Sequence, residues 1–409
     1  MSISAAKKKI LFFAEPATLA HVTRPTVLAG TLNPEQYDVI IATGSDYKSI
    51  VTDAGFTASD LWSIGSKAYL EAVSTGKVVF SYTTLKRYIQ DDLRLIRTIR
   101  PNVVIGDFRL SLAVSARLLK VPYIGISNAY WSPYAHADYE IPVHPATRLL
   151  GFATANYIFQ LFHPFILAYH SLPMVRLRWK YGMPPLGLNL KRVFTEADTT
   201  VFADVPEMVP VKECGNSDRY AYIGPVIWSP EAEIPAELAA MPGNLPLVYI
   251  AMGSSGDSRL LNIIVKAAAS LNCRIAIAES GRALDRSISG HIVARNFLPG
   301  SKIAAMAKLV ICNGGSPGTH QALQKGTPIL GIPANMDQLL NMDFIVKTGA
   351  GLKIRSDQIT FNSVRDAVAH ILYEPGFSAN AQRVASWFRN YLPEKKFPAM
   401  LNKIIHLPS

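Results

Sequence analysis

The sequence predicts an α/β protein with two doubly wound domains, each built on a parallel sheet that helices cover on both faces. The chain has 409 residues, and a single hydrophobic core rarely grows beyond about 250–300 residues. Hydrophobic residues make up 49% of the chain and charged residues 17%, which suits a well-buried core and excludes a disordered protein. Short apolar runs alternate along the chain with segments typical of helices.

These apolar runs are rich in Val, Ile and Leu, as strands buried on both faces are. They comprise residues 9–14, 37–42, 103–106, 123–127, 247–252, 274–278, 291–294, 309–312 and 328–332. Residues 223–246 lie between the two groups of runs, are rich in Pro, Glu, Ala and Gly, and lack strand periodicity, as expected of a linker. We therefore predict an N-terminal domain of residues 1–228 and a C-terminal domain of residues 229–380.

The composition of the chain restricts the kinds of partner and the cellular compartment that we expect for this protein. Lys and Arg exceed Asp and Glu by 41 to 30, a formal net charge of +11, which favours nucleotide phosphates, nucleic acid or an acidic membrane surface. A generally basic surface explains the surplus equally well. The sequence has no basic repeat, RNA-binding aromatic motif or zinc-like spacing, which argues against nucleic acid. Cys214, Cys273 and Cys312 are few, odd in number and far apart, so we expect unpaired thiols and a cytoplasmic protein.

Residues 149–179 form the most apolar long stretch of the chain. Polar or helix-breaking residues interrupt it: Asn156, Gln160, His163 and Pro164. Since a membrane-spanning helix needs about 20 mostly apolar residues, the stretch favours buried helices or a lid over an apolar acceptor. An alternative is a patch that lies on the inner face of the membrane. Basic residues near the end of the stretch support it: Arg176, Arg178 and Lys180.

A glycine-rich turn follows the apolar run of residues 309–312. A strand, this turn and then a helix over about residues 318–325 place free N–H groups and the positive helix end where a diphosphate can sit. An ordinary strand-to-helix turn is the alternative. The next run, residues 328–332, leads to Asp337 and Gln338. Loops beyond the carboxyl ends of neighbouring parallel strands face one crevice, and a carboxylate beside an amide suits sugar hydroxyls.

The segment from Asn313 to Asn341 resembles the donor-binding signature of the UDP-glycosyltransferases with the GT-B fold. That signature contains His-Gly-Gly, Gly-Thr, Glu, Ala-Leu, Gly-x-Pro and Asp-Gln followed by Asn, and the register holds without a gap. The resemblance implies that Asp337 and Gln338 hold the donor sugar. It implies that six residues hold the diphosphate: Asn313, Gly314, Gly315, Ser316, Gly318 and Thr319.

Two residues depart from the signature. Asn313 stands where the family has a histidine that touches the diphosphate, and Gln321 stands where it has a glutamate that grips the ribose. Each keeps a hydrogen bond but loses a charge-assisted component of about 1 kcal/mol. Donor binding is therefore expected to persist. The resemblance implies a UDP-sugar, and the departures leave the sugar and the base open.

Two further segments resemble donor-binding parts of the family. The first is the stretch that holds the nucleotide base, although a plain strand-loop-helix is the alternative. Its matching residues are Phe297, Leu298 and Pro299. The second is the Gly-Ser-Ser-Gly loop of residues 253–256, whose Ser254 and Ser255 would contact the diphosphate.

A histidine and an aspartate match the catalytic positions of the family. His21 follows the run of residues 9–14, where family members carry the base that takes the acceptor proton, and Asp107 follows the run of residues 103–106. Both would lie at carboxyl ends of strands in one sheet, forming a dyad in which the carboxylate orients the imidazole. A capping or packing role for His21, and helix capping over residues 110–119 by Asp107, are the alternatives.

The resemblance implies an inverting, metal-independent glycosyltransferase. Its two Rossmann-like domains would face a cleft, with helices of about residues 381–409 packing back onto the first. The donor would be a nucleotide-diphosphate sugar, with no further cofactor, and the acceptor a hydroxyl on a small apolar molecule. Alternatives are a lipid acceptor at the membrane surface, a non-catalytic sugar-nucleotide-binding or activating homologue, and a sugar-nucleotide epimerase. A dehydrogenase is disfavoured because no G-x-G-x-x-G turn follows the first apolar run.

Overall fold

A computed structural model describes residues 6–212, 219–253, 258–281 and 284–406. Its strands are β1 (Lys8–Ala14), β2 (Tyr37–Thr43), β3 (Thr57–Asp60), β4 (Val103–Asp107), β5 (Tyr123–Ser127), β6 (Thr199–Phe202), β7 (Tyr220–Tyr222), β8 (Leu247–Ala251), β9 (Arg274–Ala278), β10 (His291–Arg295), β11 (Leu309–Cys312), β12 (Ile329–Gly331) and β13 (Gly351–Lys353). Its α-helices are α1 (Ala20–Ala29), α2 (Lys48–Asp53), α3 (Gly65–Thr75), α4 (Tyr82–Ile99), α5 (Leu112–Leu118), α6 (Pro145–Leu150), α7 (Phe152–Lys180), α8 (Leu190–Phe194), α9 (Ala236–Ala239), α10 (Leu261–Ala269), α11 (Gly300–Met306), α12 (Ser316–Gln324), α13 (Met336–Thr348), α14 (Phe361–Tyr373), α15 (Pro375–Arg389) and α16 (Pro393–His406).

The chain divides into two compact units. Unit 1 comprises Met1–His136, Leu161–Val226 and Tyr391–Ser409, and unit 2 comprises Ala137–Gln160 and Ile227–Asn390. Unit 1 has a sheet in the order β3-β2-β1-β4-β5-β6-β7, and unit 2 has one in the order β10-β9-β8-β11-β12-β13. These strand pairs are all parallel. The predicted α/β class with two doubly wound sheets is confirmed.

Buried apolar residues explain which segments became strands. Each apolar run predicted from the sequence coincides with a strand, and the central strand β1 exposes its first two residues and buries its last five. Four strands were not predicted: β3, β6, β7 and β13. They are three or four residues long, so their sequences carry too little periodicity to reveal a strand, and pairing with a neighbour fixes them.

Two segments belong to a different unit from the one predicted. Residues 137–160 lie in unit 2 because Arg355 donates to the carbonyl oxygen of Ile141 and stacks over the ring of Phe152 at 4.5 Å. Residues 381–390 also stay in unit 2, because α15 buries Ala381 and Phe388 in that unit. Of the predicted C-terminal segment only the part from Tyr391 onward belongs to unit 1.

The long apolar stretch forms a single helix, α7, of 29 residues. Pro164 and Pro173 lie within it without ending it. Among the described residues, no helix is both long enough and apolar enough to cross a membrane. Arg178, which the membrane hypothesis placed on the surface, is almost completely buried and donates to the carbonyl oxygens of Ala113 and Pro184.

Both sheets reverse their winding direction beside a first strand, and the chemistry-bearing residues follow those strands. In unit 1 the reversal lies between β1 and β4, and in unit 2 between β8 and β11. Loops at the carboxyl ends diverge there and leave a crevice in which such folds bind ligands. His21 and Asp107 lie at the first reversal, and Gly253 and Asn313 lie at the second.

Candidate active site

Two adjacent parallel strands bring His21 and Asp107 together. Ala14, the last residue of β1, is paired with Asp107, the last residue of β4. The chain then turns into α1, and His21 is the second residue of that helix. His21 Nδ1 lies 2.8 Å from Asp107 Oδ1, and the Asp107 side chain is completely buried whereas that of His21 is 18% exposed. The structure therefore brings together the two residues that the sequence singled out.

The contact with Asp107 selects the tautomer of His21. An ionised carboxylate can only accept hydrogen bonds, so Nδ1 of a neutral imidazole carries the proton and Nε2 keeps its lone pair. Arg24 Nη2 also lies near Nδ1, at 3.4 Å, but a guanidinium only donates. The shorter contact with Asp107 therefore sets the proton position, and Nε2 is the nitrogen that can take a proton from a hydroxyl.

Arg24 is a third member of this group that sequence reasoning missed. Its Nε donates to Asp107 Oδ2 at 2.8 Å and its Nη2 donates to Oδ1 at 2.7 Å. This two-point contact matches the fork of a guanidinium to both carboxylate oxygens. The available signal was its spacing, since Arg24 is three residues after His21 on α1 and residues three apart share a helix face.

The pKa of Asp107 results from opposing effects. Complete burial alone would raise it, because a desolvated carboxylate is costly. The Arg24 charge and the hydrogen bond with His21 outweigh burial, so the pKa of Asp107 is lowered from its usual range. Asp107 is therefore an anion at neutral pH and holds the imidazole in one orientation.

The polar group continues along the carboxyl edge of the sheet. Arg24 Nη1 donates to Asn128 Oδ1 at 2.7 Å, and Asn128 Nδ2 donates to Asp204 Oδ2 at 3.1 Å. Asn128 follows β5 and Asp204 follows β6, so the chain of contacts crosses the ends of four neighbouring strands.

The alternative capping role of Asp107 is wrong, because α5 begins at Leu112 with Ser111 at its N-cap.

Phe108 covers one face of the His21 ring. The two rings are stacked, with centroids 4.6 Å apart and planes 10° from parallel. Phe108 has φ 57°, a left-handed conformation that is uncommon for a bulky residue and concentrates at functional sites. Its ring also meets those of Phe80 and Phe194. These contacts hold Phe108 in place, and the stack keeps the imidazole from rotating away from Asp107.

A buried ion network fixes the start of the segment that leads to His21. Glu15, directly after β1, accepts from Arg109 at 2.7 Å, and Arg109 contacts Asp92 on α4 at 2.9 Å. All three side chains are buried. Burial raises the pKa of Asp92 even though the charge of Arg109 opposes this. The network ties β1, α4 and the residues after β4 into one rigid base beneath the dyad.

In unit 2 the predicted anion site is the N-terminal end of α12. The helix begins at Ser316 with Gly315 at its N-cap, two residues earlier than the sequence suggested, so Ser316 and Gly318 lie in its first turn. Asn313 Oδ1 accepts from the Gly315 N–H at 3.0 Å. Gly314 has φ 80°, and a side chain there would lie 2.6 Å from Met342. The turn therefore requires glycine at this position.

The loop after β8 meets this turn. Gly253 has φ 62°, and a Cβ on it would lie 3.1 Å from Asn313 Nδ2. The carboxyl ends of β8 and β11 thus converge within unit 2, as the predicted diphosphate site requires. Ser254 and Ser255, the predicted contacts on this loop, lie outside the described residues.

Asn341 supports the turn from below, and sequence reasoning gave it no role beyond the motif. Its Nδ2 donates to the carbonyl oxygen of Gly314 at 2.7 Å and to Thr319 Oγ1 at 2.9 Å. Thr319 is completely buried, and its hydroxyl donates to the carbonyl oxygens of Gly315 and Ser316. Thr319 therefore holds the turn from inside the unit, and the diphosphate contact expected of it remains a prediction.

Asp337 and Gln338 lie in the first turn of α13. Asn335 caps this helix: its side chain accepts from the Gln338 N–H at 3.0 Å, and Gln338 Oε1 accepts from the Asn335 N–H. Gln338 Oε1 also accepts from the Ala334 N–H at 2.9 Å. The amide of Gln338 is therefore oriented by backbone contacts, whereas Asp337 is partly exposed. The sugar contacts expected of both residues remain predictions.

Gln321, one of the predicted nucleoside residues, contacts the segment at the start of α11. Gln321 Nε2 donates to the carbonyl oxygen of Trp228 at 3.2 Å, and a Cβ on Gly300 would lie 2.3 Å from Gln321 Oε1. Gln321 thus folds over the start of α11, which Pro299 caps. Phe297 is 61% exposed, whereas Leu298 is buried. Leu298 therefore packs inside unit 2, and the nucleoside contacts expected of Phe297, Pro299 and Gln321 remain predictions.

Comparison with protein families and curated sequences shows what this chain resembles. Residues 262–390 match the family described as the C-terminal domain of erythromycin biosynthesis protein CIII-like proteins. A PGL/p-HBAD biosynthesis glycosyltransferase of Mycobacterium tuberculosis (H37Ra) is 39% identical over 94% of this chain and 89% of that protein. A PGL/p-HBAD biosynthesis rhamnosyltransferase of Mycobacterium bovis (BCG) is 36% identical over 94% of this chain and 85% of that protein. An inactive PGL/p-HBAD biosynthesis glycosyltransferase of M. bovis (BCG) is 40% identical over 64% of this chain and 71% of that protein.

Solved structures with low sequence identity share the fold. The calicheamicin glycosyltransferase CalG4 has a TM-score of 0.72 at 15% identity and covers 98% of this chain and 100% of its own. The spinosyn rhamnosyltransferase SpnG complexed with thymidine diphosphate has a TM-score of 0.67 at 19% identity, covering 97% of this chain and 99% of its own.

Proposed function

This chain belongs to the GT-B UDP-glycosyltransferase family and is a glycosyltransferase, and from that premise we propose that it is an inverting enzyme with His21 as its catalytic base. The donor is a nucleotide-diphosphate sugar, with UDP as the first candidate for the nucleotide. The acceptor is a hydroxyl on an apolar molecule. The observation that carries the proposal is the contact of 2.8 Å between His21 Nδ1 and a buried, ionised Asp107.

The reaction is a direct displacement at the anomeric carbon. His21 Nε2 takes the proton of the acceptor hydroxyl while that oxygen forms the new bond to carbon, and the bond between carbon and the diphosphate oxygen breaks. The negative charge leaves on the nucleoside diphosphate. Asp107 stabilises the imidazolium that forms, and Arg24 favours the anionic form of Asp107, so Asp107 stays ionised while His21 passes from neutral to protonated.

The leaving diphosphate requires compensation of its charge. The first turn of α12 offers the N–H groups of Ser316 and Gly318 together with the positive end of the helix. Asn313 supplies a side-chain amide beside the same turn. A helix end and hydrogen-bond donors can stabilise a leaving group in a site from which water is excluded. We accordingly expect transfer to continue in the presence of a chelator.

A lipid acceptor is the second candidate. It is favoured by the similarity to enzymes named for the biosynthesis of PGL, a glycolipid, and by the large apolar side chains that α7 exposes to solvent. Both candidates use the same base and the same donor groups. They differ in whether the acceptor is dissolved in water or embedded in a membrane. Measuring transfer to a soluble acceptor and to a vesicle-bound acceptor with the same headgroup would distinguish them.

The base assignment is tested by His21→Ala. We expect transfer to be lost while the affinity for the nucleotide sugar stays within a few-fold, because His21 lies in unit 1 and the donor groups lie in unit 2. His291→Ala, at an exposed position on β10, is the control and should keep full turnover. Unchanged turnover in His21→Ala would show that another group takes the proton.

Donor binding is measured separately by thermal shift with UDP, TDP and their sugars. A ligand at about 100 times its dissociation constant adds about 2.7 kcal/mol of stability. Because one relative is named as inactive, the wild-type chain also has to be assayed for transfer. A donor shift without any transfer by the wild-type protein would favour a non-catalytic homologue, and the absence of any shift would contradict the donor site.

A further inference from the structure

The part of α7 that belongs to unit 1, residues 161–180, exposes a row of large apolar side chains, which we call the outer face of α7. Its members are Leu161, Phe162, Phe165, Ile166, Tyr169, Leu172 and Trp179. Phe165 is 71% exposed and Trp179 is 83% exposed. Monomeric soluble proteins rarely leave contiguous apolar patches of this kind uncovered, and such patches mark surfaces that bind a partner or a membrane.

These side chains share one side of the helix because of their spacing. Leu161, Phe165, Tyr169, Leu172 and Trp179 follow one another at intervals of four, four, three and seven residues, which is the repeat of a single helix face. From Leu161 to Trp179 the face is about 27 Å long at 1.5 Å per residue. The outer face is therefore continuously apolar from Leu161 to Leu172, and the exposed Arg176 lies between this stretch and Trp179.

The opposite side of the same helix fixes it to unit 1. Met174 and Leu177 are buried in a core cluster with residues of α4 and α5, and Ser171 is completely buried. A helix that is apolar on both sides usually lies inside a protein or in contact with lipid. The inner side of α7 already supplies the contacts of this helix with the core of unit 1. The apolar side chains of the outer face are therefore not needed for that packing, and the packed inner side holds them in place.

The charges of α7 indicate what the outer face contacts. None of its 29 residues is acidic. Arg176 and Lys180 are exposed near its C-terminal end, and Trp179 lies between them in the sequence. Apolar side chains with a tryptophan and basic residues at the edge are the features of a helix that lies in the interface of an anionic bilayer. The net charge of +11 for the whole chain attracts the same surface.

We propose that the outer face of α7 docks this enzyme on an anionic lipid bilayer, with the helix lying in the membrane interface. This inference goes beyond the proposed sugar transfer and does not depend on it. The apolar side chains of the outer face enter the boundary between headgroups and acyl chains, and Arg176 and Lys180 contact lipid phosphates. Unit 1, which carries His21, is then held at the membrane surface.

Co-sedimentation of the full chain with vesicles tests the proposal. We expect the wild-type protein to bind vesicles that contain phosphatidylglycerol and to bind phosphatidylcholine vesicles at least severalfold less. Leu161→Gln/Phe165→Gln/Leu172→Gln should lower binding to the anionic vesicles roughly tenfold or more. Glutamine is a good helix former, and the three side chains point to solvent, so the fold should be kept. Phe361→Gln/Tyr373→Gln on α14 removes two exposed apolar side chains elsewhere and should leave binding unchanged.

A charge variant and two further measurements complete the test. Arg176→Gln/Lys180→Gln should weaken binding to anionic vesicles and flatten its dependence on salt. Wild-type protein that stays in the supernatant, or a triple variant that binds as well as the wild type, would overturn the proposal. A third outcome is that the wild type runs as a dimer in lipid-free gel filtration and does not bind vesicles, whereas the triple variant runs as a monomer. That outcome would overturn membrane docking and assign the outer face to contact with a second copy of the chain. Thermal shift by a nucleotide sugar should be equal in all these variants, so a failure of docking is distinguishable from a failure of donor binding.

Discussion

Replacing Arg24 by methionine removes the cation beside Asp107 and keeps much of the volume of the side chain. Arg24 is almost completely buried and donates two hydrogen bonds to Asp107 and one to Asn128, at 2.7–2.8 Å. Breaking a buried ion pair by removing one partner typically costs about 3–5 kcal/mol, because the remaining charge is left without compensation. Unit 1 should therefore lose about 3–5 kcal/mol of unfolding free energy at pH 7.

The loss should depend on pH in a defined direction. In the wild-type protein the pKa of Asp107 is lowered, so the stability it contributes is present above the unfolded value of about 3.9 and declines as pH falls through the folded pKa. In Arg24→Met the burial of Asp107 is opposed only by His21, and the folded state takes up a proton more readily. The difference in stability between the two proteins should therefore shrink as the pH is lowered from 7 toward 4.

Thermal unfolding at several pH values measures this effect. For a domain of 150–250 residues, 1 kcal/mol corresponds to roughly 2–4 °C in Tm, so the transition of unit 1 should fall by roughly 6–20 °C at pH 7. Arg24→Lys keeps the charge but loses the two-point contact, and should lie between the wild type and Arg24→Met. Arg97→Met, at an exposed position on α4, should change stability by less than about 0.5 kcal/mol.

Two results would refute this reasoning. One is a loss below about 1 kcal/mol in Arg24→Met at pH 7, comparable to an exposed ion pair. The other is a stability difference that grows as the pH falls, which would mean that the folded wild-type protein takes up more protons than folded Arg24→Met over this range.

Two further predictions concern unit 2. Gly314→Ala should destabilise the protein by about 1–3 kcal/mol and abolish the thermal shift by nucleotide sugars, because it combines a left-handed backbone with a collision at 2.6 Å. A Cβ on Gly243 would have no atom within 4 Å, so Gly243→Ala should keep both the stability and the thermal shift. Burial raises the pKa of Cys273 and of Cys312 to about 11, so only about one thiol in a thousand is ionised at pH 8 and a thiol reagent should modify them only after unfolding. Peptide mass spectrometry that finds either thiol labelled in the native protein would contradict this.

Much of the fold followed from local patterns. The apolar runs of residues 9–14 and 103–106 predicted β1 and β4, because strands buried on both faces need continuous apolar runs. The edge strand β3 was missed because its sequence, Thr-Ala-Ser-Asp, is polar and short, and only pairing with β2 makes it a strand. Residues 137–160 were assigned to the wrong unit because the contacts of Arg355 with this segment join residues more than 200 positions apart.

The candidate site likewise combines residues that the sequence predicted with residues that only the structure revealed. His21 and Asp107 were found from the sequence because each follows a buried strand, and the carboxyl ends of neighbouring parallel strands meet at one edge. The role of Arg24 was not found, since an arginine on a helix has many possible partners and only the fold places both Asp107 oxygens within 2.8 Å of its guanidinium. The internal hydrogen bonds of Thr319 were also not foreseen, because the motif gives its position in the chain and not the direction of its side chain.

The sequence by itself determined the α/β class, the central strands, the glycine turn before α12 and the positions of His21 and Asp107 after two neighbouring strands. Those features depend on the burial of each segment and on the conformational freedom of glycine, which are properties of short stretches of chain. The tertiary structure alone decided that Arg24 keeps Asp107 ionised, that Asn341 holds the turn at Gly314, and that α7 turns an apolar face to solvent. These facts depend on which distant side chains share a space, and the order of residues along the chain does not specify that directly.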